Sequence, residues 1–248
     1  MRAMLRALAL AFLVISLLPA AAMVGGAGAP PDSIARSVVL IVGSRGNSCS
    51  GVALAPDFVL TAAHCVLPGT DYKIVEFENR QPQLREVISV TAHPQFDLPN
   101  MLAHRATADV ALLKLAAPLK VEPANLAPPL TVAPGDVFTV VGAGVSIRGD
   151  GKSGGTLRAA SLAATGKPGN LQIRLVDPAT RGEKPGLGAC TGDSGAPVFA
   201  MAGFPSVIGL VSWSTGPANP AGCGGLTGVT PLFLYLDWIA DYRKLLTR

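Results

Sequence analysis

The chain has 248 residues, of which 49% are hydrophobic and 15% charged, a composition that excludes an intrinsically disordered protein. Its length accommodates one large domain or two small ones. The formal net charge is only +4 and no cluster of Lys and Arg accompanies it, which argues against a nucleic-acid partner.

The first residues have the features of a secretory signal peptide. Arg2 and Arg6 make the start positive, residues 7–18 are apolar and uncharged, and three alanines at 20–22 provide the small residues of a cleavage site. The apolar run is shorter than the roughly 20 residues that a membrane-spanning helix needs. We therefore predict a signal peptide over 1–22, and a secreted or periplasmic protein that is not attached to a membrane once this peptide is removed.

The segments that follow predict an all-β fold. Short runs rich in Val, Ile and Leu alternate with Gly, Pro, Asn and Asp, as is typical of strands in a β-sandwich or barrel. The predicted strands are 37–42, 58–61, 87–90, 110–115, 137–141, 171–176, 198–202 and 207–213. A Pro-rich segment at 123–134 predicts a link between two β units, 23–122 and 123–248. Apolar residues at helical spacing and cations near the end predict a C-terminal helix over 232–246.

The four cysteines all lie beyond the predicted signal peptide. An even number of cysteines in an exported chain predicts disulfide bonds, and Cys49, Cys65, Cys190 and Cys223 allow three different pairings. A zinc site would need closely spaced pairs such as C-x-x-C, which this sequence lacks. We predict no metal and no other cofactor.

Three short segments carry the parts of a serine-based hydrolytic site. His64 lies in LTAAHC, Asp109 opens the otherwise apolar segment DVALL, and Ser194 lies in CTGDSGAP. A serine hydroxyl that attacks a peptide bond needs a base, a carboxylate that orients the base, and donors for the developing oxyanion. The order His, Asp, Ser excludes an α/β-hydrolase, in which the serine comes first.

Taken together, TAAHC, DVALL and C-x-G-D-S-G-x-P resemble the signatures of the trypsin/chymotrypsin-like serine proteases, and the resemblance covers essentially all of 23–248. It implies an all-β fold of two antiparallel six-stranded β-barrels with a C-terminal α-helix. It implies a monomeric serine endopeptidase acting on polypeptide substrates, with His64 as general base, Asp109 as orienting acid and Ser194 as nucleophile. The backbone N–H groups of Gly192 and Ser194 would form the oxyanion hole. The alternative is a catalytically silent protein of the same fold that serves as a binding module.

The resemblance has two further implications. It pairs Cys49 with Cys65 and Cys190 with Cys223 as disulfides. In addition, the segment MVGG at 23–26 resembles the N-terminus of activated family members, whose ammonium pairs with the aspartate before the nucleophile. We expect signal peptidase itself to expose Met23, whose ammonium then pairs with Asp193 without a separate activation step.

The substrate-binding positions are also implied by the resemblance. They are Gly188, Ala189, Ser212, Trp213, Ser214 and Gly228. Trypsins carry an aspartate where this chain has Gly188, so we expect an uncharged specificity pocket that takes an apolar residue of medium size rather than Lys or Arg. Ser214 stands where glycine usually leaves the pocket open, and it would narrow the entrance.

Two histidines and one loop receive no functional role from the sequence. His93 and His104 are expected to be structural. The polar, Gly-rich segment 148–155 is expected to be a mobile surface loop, and the RGD tripeptide that begins it is attributed to chance.

Overall fold

The structure is a computed structural model that describes residues 23–78, 81–167 and 171–246. The signal peptide predicted over 1–22 lies outside these ranges. Strands dominate the described chain, as the sequence predicts. None of its helices combines the length and the apolar character needed to span a lipid bilayer.

The N-terminal half forms a closed six-stranded barrel. Its strands are β1 (Val38–Gly43), β2 (Ser48–Ala55), β3 (Phe58–Thr61), β4 (Tyr72–Glu78), β5 (Gln81–Ala92) and β6 (Ala111–Leu115). The strand order is β1-β2-β3-β6-β5-β4 with every neighbour antiparallel, and β1 closes the barrel by pairing with both β2 and β4. All four side chains of β3 are buried because one face fills the barrel and the other packs towards the second half.

The C-terminal half forms a second closed barrel with one strand added. Its strands are β7 (Asn125–Leu126), β8 (Val137–Gly142), β9 (Arg158–Ala164), β10 (Ile173–Val176), β11 (Pro197–Ala200), β12 (Ser206–Ser214) and β13 (Thr227–Pro231). Six of them follow the order β11-β8-β9-β10-β13-β12, and β11 pairs with β12 to close the ring. The short β7 adds to β12 in parallel. Two closed antiparallel barrels confirm the predicted fold class.

Helices are few and short. The α-helices are α1 (Asp32–Ala35), α2 (Leu98–Leu102) and α3 (Leu236–Leu246), and single 3₁₀ turns occupy Ala63–Val66, Gly151–Ser153 and Leu232–Leu234. The C-terminal helix therefore begins four residues later than 232, because the first part of that segment forms the 3₁₀ turn. Ile239 of α3 is buried between the two barrels, in one apolar cluster with Leu60 of β3 and Phe199 of β11.

Five strands of the described chain are missing from the sequence prediction: β2, β4, β7, β9 and β13. The segments SCSGVALA of β2 and RAASLAA of β9 consist mostly of small residues, which have low intrinsic β propensity. They form strands because neighbouring strands of the barrel offer backbone partners on both edges. Barrel closure thus overrides local propensity here.

Candidate active site

The histidine and aspartate of the predicted site meet at the ends of two paired strands. β3 and β6 are antiparallel, with Thr61 opposite Ala111. His64 lies in the 3₁₀ turn just after β3, and Asp109 lies two residues before β6 begins. The sheet register therefore places the two side chains side by side, although they are 45 residues apart in the chain.

The carboxylate of Asp109 is fully buried and has three partners. His64 Nδ1 lies 2.8 Å from Oδ2, and the backbone N–H of His64 donates to Oδ1 at 3.0 Å. The hydroxyl of Ser212 donates to Oδ2 at 2.5 Å. When Nδ1 carries the proton, this arrangement leaves Nε2 of His64 as the unprotonated, base-competent nitrogen.

Ser194 lines the same cleft as His64. Its carbonyl accepts a hydrogen bond from the backbone N–H of Ser50 at 2.8 Å, which connects the serine turn to β2 of the first barrel. Within the described chain, no hydrogen bond joins the Ser194 hydroxyl to His64. Catalytic hydrogen bonds are often long in ligand-free sites and shorten when substrate is present. The structure thus brings the three residues to one cleft, with the Asp–His contact formed and the His–Ser contact open.

Backbone N–H groups next to Ser194 are free to bind an anion. In the described chain neither Gly192 N–H nor Ser194 N–H donates to another group. Gly192 has φ +91°, and a side chain there would meet Gly144 Cα at 2.9 Å, so only glycine fits. The carbonyl of Gly192 is held in place by a hydrogen bond that it accepts from the buried hydroxyl of Ser50 at 2.9 Å. Preorganised donors of this kind can stabilise an oxyanion.

Asp193 is buried directly beside these donors. Gly144 N–H donates to its Oδ1 at 2.9 Å, and Cys190 N–H donates to its Oδ2 at 2.9 Å. Burial raises the pKa of Asp193 to about 7, and the two backbone donors oppose the rise. Met23 is fully buried in the second barrel's core with Ala189 and Ala196, but it makes no hydrogen bond to Asp193 in the described chain. The structure therefore brings Met23 into this region without forming the expected pair.

Two disulfide bonds lie on either side of the cleft. Cys49–Cys65 joins β2 to the turn that carries His64, and Cys190–Cys223 joins the serine loop to the loop before β13. The two sulfur atoms of Cys49 and Cys65 lie within 4.8 Å of a His64 ring nitrogen. Both sulfurs are engaged in the disulfide, so they are not available as the thiolates that bind zinc.

The cleft has a volume of about 430 Å³, and the cysteines of both disulfides contribute to its lining. Of the residues expected to bind substrate, only Ser214 lines it. Gly188, Ala189 and Gly228 are buried instead. A Cβ added to Gly188 would lie 3.0 Å from Gly224 Cα, and the ring of Trp213 packs on Gly228. The pocket floor expected at Gly188 is therefore filled by neighbouring backbone.

The uncharged specificity pocket expected at Gly188 stays a prediction, but the cleft as a whole carries a cation. Arg148 lines it, although the sequence placed this residue in a loop without a function. Its guanidinium reaches Gly222 because the loop between β8 and β9 folds back over the cleft. Arg148 and Ser50 are the residues that sequence reasoning missed. Neither belongs to a signature, and each acts on residues far away in the chain.

The indole ring of Trp213 lies next to an imidazole ring and a guanidinium group. His104 stacks on its indole with ring centroids 4.4 Å apart, and the guanidinium of Arg174 lies 5.5 Å from the ring centre. Desolvation and, to a smaller degree, the charge of Arg174 lower the pKa of His104. His93 instead packs against Tyr235 and Trp238, away from the cleft.

A larger groove, of about 780 Å³, lies between β2, the start of β7 and α3. It contains none of the triad residues. The smaller cleft is the candidate active site, because His64, Ser194 and the free donor of Gly192 all face it.

Comparison with known proteins agrees with this geometry. The family model described as Trypsin matches residues 23–239. Coagulation factor IX of Cavia porcellus is 29% identical over 242 residues, which cover 87% of this chain and 80% of that protein. Vitellin-degrading protease of Bombyx mori is 31% identical over 209 residues, covering 77% of this chain and 75% of that protein. The solved structure of neuropsin, a serine protease expressed in the limbic system of mouse brain, matches with a TM-score of 0.66 at 20% identity and covers 88% of this chain and 98% of that one.

Proposed function

This chain belongs to the trypsin family, and on that premise we propose that it is a secreted serine endopeptidase. His64 is the general base, Asp109 the orienting acid and Ser194 the nucleophile. The observation that supports this most directly is the buried Asp109 carboxylate, which contacts His64 Nδ1 at 2.8 Å and accepts the Ser212 hydroxyl at 2.5 Å. A carboxylate held in this way selects the histidine tautomer that accepts the serine proton.

The reaction proceeds through an acyl-enzyme. His64 Nε2 takes the hydroxyl proton as Ser194 Oγ forms a bond to the substrate carbonyl carbon, and the carbonyl oxygen becomes an oxyanion held by Gly192 N–H and Ser194 N–H. The imidazolium then gives its proton to the leaving amine as the peptide bond breaks. Water then attacks the acyl-enzyme ester in the same two steps, with His64 first as base and then as acid, and the second product is released.

The proposal includes the route to the mature enzyme. The signal peptide 1–22 would direct export, its removal would expose Met23, and the new ammonium would pair with Asp193. Support comes from the burial of both residues and from the Asp193 carboxylate, which accepts two backbone N–H groups but has no cation as a partner in the described chain. The mature chain would comprise an N-terminal barrel domain, 23–122, and a C-terminal domain, 123–248.

A covalent labelling experiment tests the proposal. The mature protein is treated with a fluorescent phosphonate that reacts with activated serines, alongside Ser194→Ala and Ser161→Ala; Ser161 is an exposed serine of β9. We expect labelling of the parent protein and of Ser161→Ala, and none of Ser194→Ala. A folded parent protein that neither labels nor cleaves a peptide library would instead be a binding module of the same fold.

A further inference from the structure

Within the described chain, the lining of the candidate cleft carries a positively charged side chain and no negatively charged one. Apart from His64, Arg148 is the charged residue that lines it in the described chain, and no carboxylate group lines it. Asp109 and Asp193 are fully buried behind the surface. A substrate side chain entering this cleft therefore meets a cation.

The guanidinium of Arg148 lies at the rim of the pocket beside Gly222. A Cβ built on Gly222 would be 3.0 Å from Arg148 Nη1, so the two residues are in contact. Across the entrance, the Ser214 hydroxyl donates to the carbonyl of Gly222 at 3.1 Å. Arg148, Ser214 and Gly222 thus lie together in the lining of the cleft, which the Cys190–Cys223 disulfide shares.

The guanidinium of Arg148 has no carboxylate partner in the described chain. It makes no hydrogen bond or ion pair within the described chain, and the acid of its own loop is engaged elsewhere, because Asp150 accepts the backbone N–H of Lys152 at 3.0 Å. The N–H donors of the guanidinium remain available. Their planar, forked geometry fits a carboxylate with two parallel hydrogen bonds.

A second cation with neutral partners lies against Trp213, outside the lining of the cleft. Arg174 lies 5.5 Å from the indole centre, and it donates to Gln172 Oε1 at 3.2 Å and to the carbonyl of His104 at 3.5 Å. Neither acceptor is a carboxylate. With Arg148 and no carboxylate in its lining within the described chain, the cleft favours an anionic substrate over a cationic one.

We propose that Arg148 is a specificity-determining residue that binds the carboxylate of a glutamate or aspartate immediately before the scissile bond. Because backbone fills the space beneath Gly188, the side chain of that residue stops at the rim, where Arg148 lies. A lysine or arginine in the same place would face a like charge. This inference rests on the proposed serine endopeptidase function and gives it a substrate class, acidic polypeptides.

The test compares substrates that differ by one charge at one position. The mature protein is assayed with two peptides identical except for Glu or Gln before the scissile bond, in low and high salt. Arg148→Gln removes the cation, Arg148→Lys keeps it, and Lys152→Gln removes one charge from the same loop outside the cleft. Each protein is first labelled with the serine-directed phosphonate, so that a failure of catalysis is recognised independently of specificity.

We expect kcat/KM for the Glu peptide to exceed that for the Gln peptide by about tenfold in low salt, and less in high salt. Arg148→Gln should bring the ratio to about one by lowering only the Glu value, whereas Lys152→Gln should leave the ratio unchanged. A labelled parent protein without this preference, or a preference that survives in Arg148→Gln, would overturn the assignment of Arg148 alone. Absence of labelling in the folded parent would overturn the proposed function, and the acidic site with it.

Discussion

The buried hydroxyl of Ser50 donates a hydrogen bond to the carbonyl of Gly192 at 2.9 Å and accepts one from the backbone N–H of Ala143 at 2.9 Å. The backbone of Ser50 adds two more contacts, because its N–H donates to Ser194 O and its carbonyl accepts the Thr61 hydroxyl. One residue of the first barrel thus holds the peptide groups on both sides of the proposed oxyanion hole in the second.

Replacing Ser50 with Ala should therefore lower kcat more than it changes KM. The Gly192 carbonyl and the Ala143 N–H would both lose a buried partner, and the freed peptide would turn away from its productive orientation. Loss of a direct oxyanion donor costs about 10²–10³ in kcat, so we expect about tenfold for this indirect support. Steady-state kinetics on one peptide substrate measures the effect. Ser161→Ala is the control, and a Ser50→Ala protein with the parent kcat would contradict the role.

If His64, Asp109 and Ser194 act as one unit, the losses of kcat in their single variants should not add up in a double variant. Ser194→Ala, His64→Ala and Asp109→Asn should each reduce kcat by about 10³-fold or more, while the double variant Ser194→Ala/His64→Ala should be no worse than either single one. The residues act as one unit, and the oxyanion donors keep a residual rate. Circular dichroism should show an unchanged fold. Turnover close to that of the parent in Ser194→Ala would disprove the assignment.

A side chain at Gly188 should destabilise the protein rather than redirect its specificity. The sequence alone predicts that Gly188→Asp would create a preference for Lys and Arg. In the structure, a Cβ at this position lies 3.0 Å from Gly224 Cα and 3.3 Å from Gly224 N, and backbone yields less easily than a side chain. We expect Gly188→Ala to lower the free energy of unfolding by about 1–3 kcal/mol, and Gly188→Asp by more because it buries a charge.

Urea unfolding measures both Gly188 variants. The matched control is Gly151→Ala, since a Cβ there has no neighbour within 4 Å. A stable Gly188→Asp protein that cleaves after Arg would show that the pocket floor opens in solution.

The stability of forms that retain residues before Met23 should fall as the pH rises from about 4 to about 7. Burial raises the pKa of Asp193 from 3.8 to about 7, so between these values the folded protein binds a proton that the unfolded chain has released. In a chain that begins at Met23, the ammonium would keep the carboxylate ionised and remove this fall. The free energy of unfolding of the two forms, measured at several pH values, tests the pairing of Met23 with Asp193. The control is Asp193→Asn, which should abolish the difference in pH dependence between the two forms.

The pairing of Met23 with Asp193 also predicts how the activity of the chain that begins at Met23 depends on pH. The chain that begins at Met23 should be active at neutral pH and lose activity as the pH rises through the pKa of its amine, which pairing raises above the ordinary value of about 8. N-terminal sequencing of the active enzyme identifies its first residue. Full activity in a form that begins well after Gly26, or that carries residues before Met23, would refute the pairing.

Features that depend on local pattern can be predicted from the amino-acid sequence. Runs of β-branched and aliphatic residues between turn formers identify β1, β3, β5, β6, β8, β10, β11 and β12, and helical spacing identifies α3. Side-chain period and propensity act over a few neighbouring residues, so local pattern is sufficient for these elements. The segments around His64, Asp109 and Ser194 identify candidate catalytic residues, since each segment is recognisable on its own.

Features that depend on residues distant in the chain become visible in the folded protein. The small-residue strands β2 and β9 form because barrel closure supplies their backbone partners. Ser50 meets Gly192 across 142 residues, and Arg148 meets Gly222 from a separate loop, contacts that no short pattern encodes. The filled space beneath Gly188 arises in the same way. Pocket shape and charge are set by how the loops of two barrels pack together, whereas strand and motif are set by the residues themselves.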